Sequence, residues 1–195
     1  WRSGSLGERN IFLQRQQNEP GQLSVDILLD ASASQSGQQE KVAVQGYLIA
    51  AALTRCQIPV RVAGFCSVSG CTVLRVFRDY QETDRNEMIF DYVSAGWNRD
   101  GLALRAMRWL MAQNSGDRRL LIVLTDASPN DSHKILPSGK IPLSRDYDGQ
   151  PGIDDTAAEV RALRAQGIRV AAVFMGENTS VPAANAIYGR DLARI

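Results

Sequence analysis

Three apolar runs, residues 24–29, 118–125 and 168–175, are separated by stretches whose apolar residues recur at helical spacing. That alternation constrains the fold more than any other feature. Runs rich in Val, Ile and Leu suit strands buried on both faces, and such strands belong to parallel sheets covered by helices on both sides. The helix expected at 38–55 carries Val42, Leu48, Ile49, Ala52 and Leu53 on one face and completes a first strand–helix unit. A second strand at 59–65 is followed, after the turn at Gly70, by a third at 72–77. The link is too short for a parallel crossover, so the third strand is expected as an antiparallel edge.

Further along, a polar helix around 84–92, a helix at 102–113 and the strand 118–125 precede a long stretch, 128–152, rich in Pro, Gly, Ser and Asp. A helix opened by Asp154-Asp155-Thr156 and closed by Gly167 leads into the strand 168–175, and a short helix and the start of a last strand at 192–195 follow. This order predicts an α/β, doubly wound, Rossmann-like fold: a mostly parallel sheet with one antiparallel edge strand and helices on both faces.

A chain of 195 residues, 44% of them hydrophobic, can close one full core. The expected organisation is an N-terminal extension, 1–21, and one domain, 22–195, cut before a closing helix. Lys plus Arg number 22 against 21 Asp plus Glu, so no global field recruits nucleic acid or an acidic membrane surface. Cys56, Cys66 and Cys71 are odd in number and form no C-x-x-C pair, which argues against a disulfide framework or a zinc site and suits a reducing, cytoplasmic setting. Cys66 and Cys71 flank a short turn, so a bridge across that hairpin stays geometrically open.

The chemistry is concentrated at the end of the first strand. Asp30-Ala31-Ser32-Ala33-Ser34 carries one carboxylate and two hydroxyls spaced two apart, on one side if the backbone is extended. Open α/β sheets place ligands at the carboxyl ends of their strands. Asn98 and Asp100, before a helix, and Asp126, after the strand 118–125, fall at the same edge. Each alone could be a helix cap, whereas their convergence points to a metal. An all-oxygen set selects a hard cation, Mg²⁺ first, with Mn²⁺ or Ca²⁺ as alternatives.

These residues resemble those of von Willebrand factor A domains, whose metal-ion-dependent adhesion site combines a D-x-S-x-S motif, a second-loop oxygen ligand and an Asp after the central strand. Asn98-Arg99-Asp100-Gly101, 124–131 and 152–156 are similar to the A domains of nitric oxide reductase activation proteins and cobalt chelatase subunits. The resemblance implies metal ligands at Asp30, Ser32, Ser34, Asn98 and Asp126. It further implies a MoxR-type AAA+ ATPase as partner, in activating or metal-loading a target enzyme. Two departures stand out: Asn98 replaces a frequent threonine, and Ala127 a frequent glycine. With Ser32, Ser34 and Asn98 binding directly and Asp30 and Asp126 through water, the ion keeps charge enough to accept a partner's Asp or Glu.

Asp100, beside Asn98, is a candidate to support the site, and Asn130, Asp131 and His133, with Lys134 and Arg145, are candidates to support it or touch a partner, because unstructured connections as long as 128–152 are usually functional or mobile. Trp97 and Trp109 read as packing residues. Two alternatives remain: a Mg²⁺-dependent hydrolase or phosphatase, and a scaffold whose metal site no longer works. Against the enzyme, residues 30–37 contain one glycine and no lysine, so neither phosphate-loop pattern is present.

Overall fold

The computed structural model describes residues 22–113, 116–137 and 144–194, so the expected extension 1–21 lies outside the described residues. In chain order the elements are β1 (Leu23–Asp30), a 3-10 helix (Ala33–Gln38), α1 (Gln39–Arg55), β2 (Val60–Val68), β3 (Cys71–Arg78) and a second 3-10 helix (Asn86–Asp91). They continue with α2 (Asp100–Ala112), β4 (Arg118–Thr125), β5 (Asp131–Ile135), β6 (Arg145–Tyr147) and α3 (Gln150–Ala165). The chain closes with β7 (Ile168–Phe174), a single 3-10 turn (Asn178–Ser180), α4 (Val181–Tyr188) and β8 (Leu192–Arg194). Six strands form one sheet in the order β3-β2-β1-β4-β7-β8, and β5 and β6 pair separately. Only the β2–β3 pairing in the large sheet is antiparallel.

β1 runs between β2 and β4, the point at which the strand order reverses direction, and a crevice opens there beyond the carboxyl ends. Its side chains split between two cores. Val25, Ile27 and Leu29 pack with Val42, Ala43 and Ala50 of α1, while Leu28 joins Leu104, Met107 and Met111 of α2 and Val160 and Leu163 of α3. Parallel strands of Val, Ile and Leu therefore bury both faces, as their unbroken apolar runs require. At the edge, β3 is mostly exposed along its first residues. No helix among the described residues is long and apolar enough to cross a membrane.

Several expectations change. The stretch 128–152 is not one unstructured loop: β5 and β6 pair within it, Asp131 opposite Tyr147 and Ile135 opposite Arg145. The sequence hides this hairpin because its strand residues are largely exposed, so pairing rather than burial defines it. α3 begins at Gln150, ahead of Asp154, with Pro151 in its first turn, where a missing N–H costs nothing. The polar helix expected around 84–92 is a 3-10 helix of six residues. Trp109 is 67% exposed, because Leu104, Met107 and Met111 define the buried face of α2 and position 109 lies opposite. Trp97, 45% exposed, is not a packed residue either. Cys66 pairs with Val73 and Cys71 with Val68, so the two thiols sit diagonally, and all three cysteines are free.

Midway along β1 lies a buried ion pair. Asp26 and Arg61 face each other in the β1–β2 register, with Arg61 Nε donating to Asp26 Oδ1 at 2.7 Å and the Tyr80 hydroxyl donating to Oδ2 at 2.5 Å. Asp26 is fully buried and Arg61 nearly so.

Candidate metal centre

Asp30 ends β1 fully buried, and its Oδ1 accepts the Ser32 backbone N–H at 2.9 Å. Thr125 Oγ1 approaches its Oδ2 at 3.3 Å, and the Tyr92 hydroxyl donates to its carbonyl at 2.5 Å. From there the side chains form a chain. Ser32 Oγ is 2.9 Å from Ser34 Oγ, and Ser34 Oγ donates to Asp126 Oδ2 at 2.6 Å. Asp126 Oδ1 accepts the Ser128 N–H at 3.1 Å, which folds the backbone after β4 into a turn. Ala127, inside that turn, has φ 53°, a left-handed conformation that costs a non-glycine residue roughly 1–2 kcal/mol. The frequent glycine is thus replaced by strain, held in part by the Ala127 N–H bond to Thr125 Oγ1 at 2.9 Å.

The second loop closes the ring. Asn98 Nδ2 donates to the Ser128 carbonyl at 3.2 Å and to Asp100 Oδ1 at 2.9 Å. Asn98 Oδ1 accepts the Asn130 N–H at 3.3 Å, leaving a second lone pair for another ligand. Backbone bonds in both directions between Asn98 and Asn130 fix the two loops together. Asp100 opens α2, and the next residue is a forced glycine. A Cβ at Gly101 would lie 2.1 Å from Asp155 Oδ2 and 3.1 Å from the Asp155 carbonyl carbon. The Tyr147 hydroxyl caps this contact, accepting the Gly101 N–H and donating to Asp155. Gly101→Ala is expected to lower stability by about 1–3 kcal/mol in urea melts and, by pushing Asp100 away from Asn98, to weaken divalent-ion binding in the same samples.

Asp30, Asp100 and Asp126 act on one another in a buried setting. Burial, then the Asp126 charge, pushes the Asp30 carboxyl up to about 7. Asp100 is raised well above the usual carboxylate range by burial, then by Asp30 and Asp126, and its Oδ2 has no hydrogen-bond partner among the described residues. A buried carboxylate without a counter-charge is costly, so this cluster is stabilised either by taking up protons or by a cation placed beside it. Among the described residues no three His, Cys, Asp or Glu side chains group to hold a metal. The donors here are instead hydroxyls and an amide beside carboxylates, a set that fits a hard, oxygen-seeking ion. Ser32, Ser34, Asn98 and Ser128 line a cavity of about 360 Å³, while Ser34, Asp126 and Ser128 also face a second of about 670 Å³ reaching Gln38 and Lys41.

The five residues expected as ligands, Asp30, Ser32, Ser34, Asn98 and Asp126, thus fall along one hydrogen-bonded chain, with Asp100 at its end. Of the candidate contact residues, Asn130 lines the cavity. Asp131 is buried and held by Arg99 Nε at 2.6 Å and the His133 N–H at 2.9 Å, so it braces the hairpin rather than facing outward. His133 is half exposed beside it, Arg145 is exposed, and Lys134 reaches Asp146 at 3.7 Å. Sequence reasoning missed Thr125, Ser128 and Tyr147. Ser128 had a signal, since an Asp commonly bonds the backbone two residues on; Tyr147 had none.

The family described as the cobalamin biosynthesis protein CobT VWA domain matches residues 11–76. Protein NorD of Stutzerimonas stutzeri is 25% identical over 177 residues, covering 85% of this chain and 27% of the relative; the chain therefore spans about a quarter of that relative's length. The vWF domain of the type V pili tip protein Mfa5 from Porphyromonas gingivalis superposes with a TM-score of 0.65 at 10% identity, covering 90% of each chain. The manganese-loaded TRAP protein of Plasmodium vivax does so at 0.63 and 14% identity, covering 90% of this chain and 68% of that one. At these identities what the two structures share with this chain is the fold. The chain has the fold of von Willebrand factor A domains and is similar in sequence to NorD and, over residues 11–76, to the CobT VWA domain.

Proposed function

We propose that the chain is a metal-ion-dependent protein-binding module rather than an enzyme. The observation that carries this reading is the continuous relay from Asp30 through Ser32, Ser34, Asp126, Ser128 and Asn98 to Asp100, built at the carboxyl ends of adjacent strands around an electrostatic deficit. Ser32, Ser34 and Asn98 would hold Mg²⁺, or Mn²⁺ or Ca²⁺ in its place, with Asp30 and Asp126 acting through water. The bound ion supplies a Lewis-acidic position for an Asp or Glu of the partner. Asp30 fixes the Ser32 backbone, Asp126 orients the Ser34 hydroxyl, and Asp100 orients the Asn98 amide; each leaves a neutral oxygen available while its own charge stays behind.

By the resemblance in its loops the partner is a MoxR-type AAA+ ATPase, in the cytoplasm, and the module serves to activate or metal-load a target enzyme. Calorimetric titration with such an ATPase tests this. Binding is expected with Mg²⁺, and loss of about tenfold or more is expected in EDTA or with Asp30→Ala. Binding that survives both changes contradicts the metal-bridged mode.

A further inference from the structure

The cavity beside the candidate ion is walled in part by a tryptophan that the fold holds rigidly but does not bury. The Trp97 N–H donates to the Ser67 carbonyl at 2.8 Å, and its carbonyl accepts the Ser67 N–H at 2.6 Å. Gly96 before it accepts the Ala33 N–H at 3.0 Å. Gly96 has φ +66°, and a Cβ there would lie 2.4 Å from the Ser67 carbonyl oxygen and 3.1 Å from a Val68 methyl. The loop is therefore pinned to both the β1 loop and the end of β2, while the Trp97 side chain remains about half in solvent. Rigid aromatics of this kind are what protein interfaces use as anchors, because little side-chain entropy is lost on contact.

The chemistry of the wall selects the occupant. Trp97, Gly96 and Ala33 meet Ser32, Ser34 and Asn98 in one cavity of about 360 Å³, and no charged side chain lines it. That volume is at the low end of ligand pockets, roughly 300–1,000 Å³, and suits one side chain with its backbone. Asp126 and Asp100 are bonded to Ser34 and Asn98 but do not line this cavity, so the Trp97 wall itself carries no charge.

We infer that this site reads two adjacent features of its protein partner: an acidic residue delivered to the ion, and a neighbouring aliphatic side chain, of leucine size, seated against Trp97. This rests on the metal-dependent reading above and adds the partner's local sequence chemistry to it.

Two capped tripeptides, glycyl-aspartyl-glycine and leucyl-aspartyl-leucine, are titrated into the ¹⁵N-labelled 195-residue chain in saturating Mg²⁺, with the Trp97 indole N–H as readout. The leucine peptide is expected to bind about tenfold or more tightly and to shift that signal. Trp97→Ala is expected to reduce it to the affinity of the glycine peptide. Trp97→Phe, which keeps an apolar ring, is expected to restore part of the difference and guards against a folding defect in the alanine variant. Equal affinities, a preference that survives Trp97→Ala, or no binding of either peptide overturns the inference. Selective Mn²⁺ broadening of the Ser32, Ser34 and Asn98 signals reports the ion separately. Broadening without a leucine preference sinks the pocket alone, whereas a leucine preference persisting in EDTA keeps the pocket and sinks the metal reading.

Discussion

In EDTA the chain is expected to become less stable as the pH rises from about 4 to 7, and to level off above that. Asp30 sits near 7 in the folded chain and returns to about 3.8 when unfolded. Between those values the folded state holds a proton that the unfolded state does not, so folding weakens as protons become scarce. Each unit is worth about 1.4 kcal/mol, so the Asp30 contribution approaches roughly 4 kcal/mol over the whole window. Asp100, raised for the same reason, works in the same direction.

Asp131 is shifted the opposite way. Its burial opposes ionisation, but the His133 N–H and the Arg99 guanidinium outweigh it and hold the carboxyl below its usual range. Its contribution is present above the ordinary carboxylate value and is lost at more acid pH, so it does not mask the effect. Urea melts at pH 5 and 8 measure the difference, which Mg²⁺ is expected to abolish at pH 8 by binding the folded state. Asp30→Asn is expected to flatten the profile. A metal-free chain as stable at pH 8 as at pH 5 contradicts this electrostatic picture.

Arg61→Ala is the second large effect, an expected loss of about 3–5 kcal/mol. The cause is the carboxylate left behind: Asp26 is fully buried, and the guanidinium at 2.7 Å is its counter-charge. Burial already raises the Asp26 carboxyl above its usual range despite Arg61, so the pair has little margin. Tyr80 alone supplies one hydrogen bond and no charge. Replacing both partners, as in Asp26→Leu with Arg61→Met, is expected to cost far less than the single change, since removing a buried pair also removes its desolvation cost. Chemical denaturation of the single and double variants decides it, and a double variant no more stable than Arg61→Ala contradicts the account.

The large sheet was legible because its strands bury both faces. Residues 118–125 and 168–175 carry almost continuous apolar runs, and the structure places them within a residue of those bounds. What depended on pairing, capping or orientation was less visible. The β5–β6 hairpin gains little from burial, so composition marked it only as polar chain. The start of α3 was obscured because Asp154 and Asp155 resemble a first turn, whereas Gly149 and Pro151 mark the actual one. Trp109 shows the limit of reasoning from residue type, since α2 had enough Leu and Met to fill its inner face without it.

At the candidate site, Asp30, Ser32, Ser34 and Asp126 were legible from their place after buried strands. Asp100 was legible as a residue but not as a buried carboxylate with one oxygen left without a partner, because that burial arises only in the folded packing. Trp97 was misjudged because its exposure depends on Ser67, which binds its backbone in both directions, and on Gly96, which ties the loop to Ala33, while the ring is left half outside.

The central claim is that oxygen-bearing side chains from three distant segments surround one divalent ion. Anomalous diffraction from crystals of the chain grown in Mn²⁺ tests it most directly. A single manganese peak within about 2.5 Å of Ser32 Oγ, Ser34 Oγ and Asn98 Oδ1 is the predicted result; manganese bound elsewhere, or no peak among these three atoms, contradicts it.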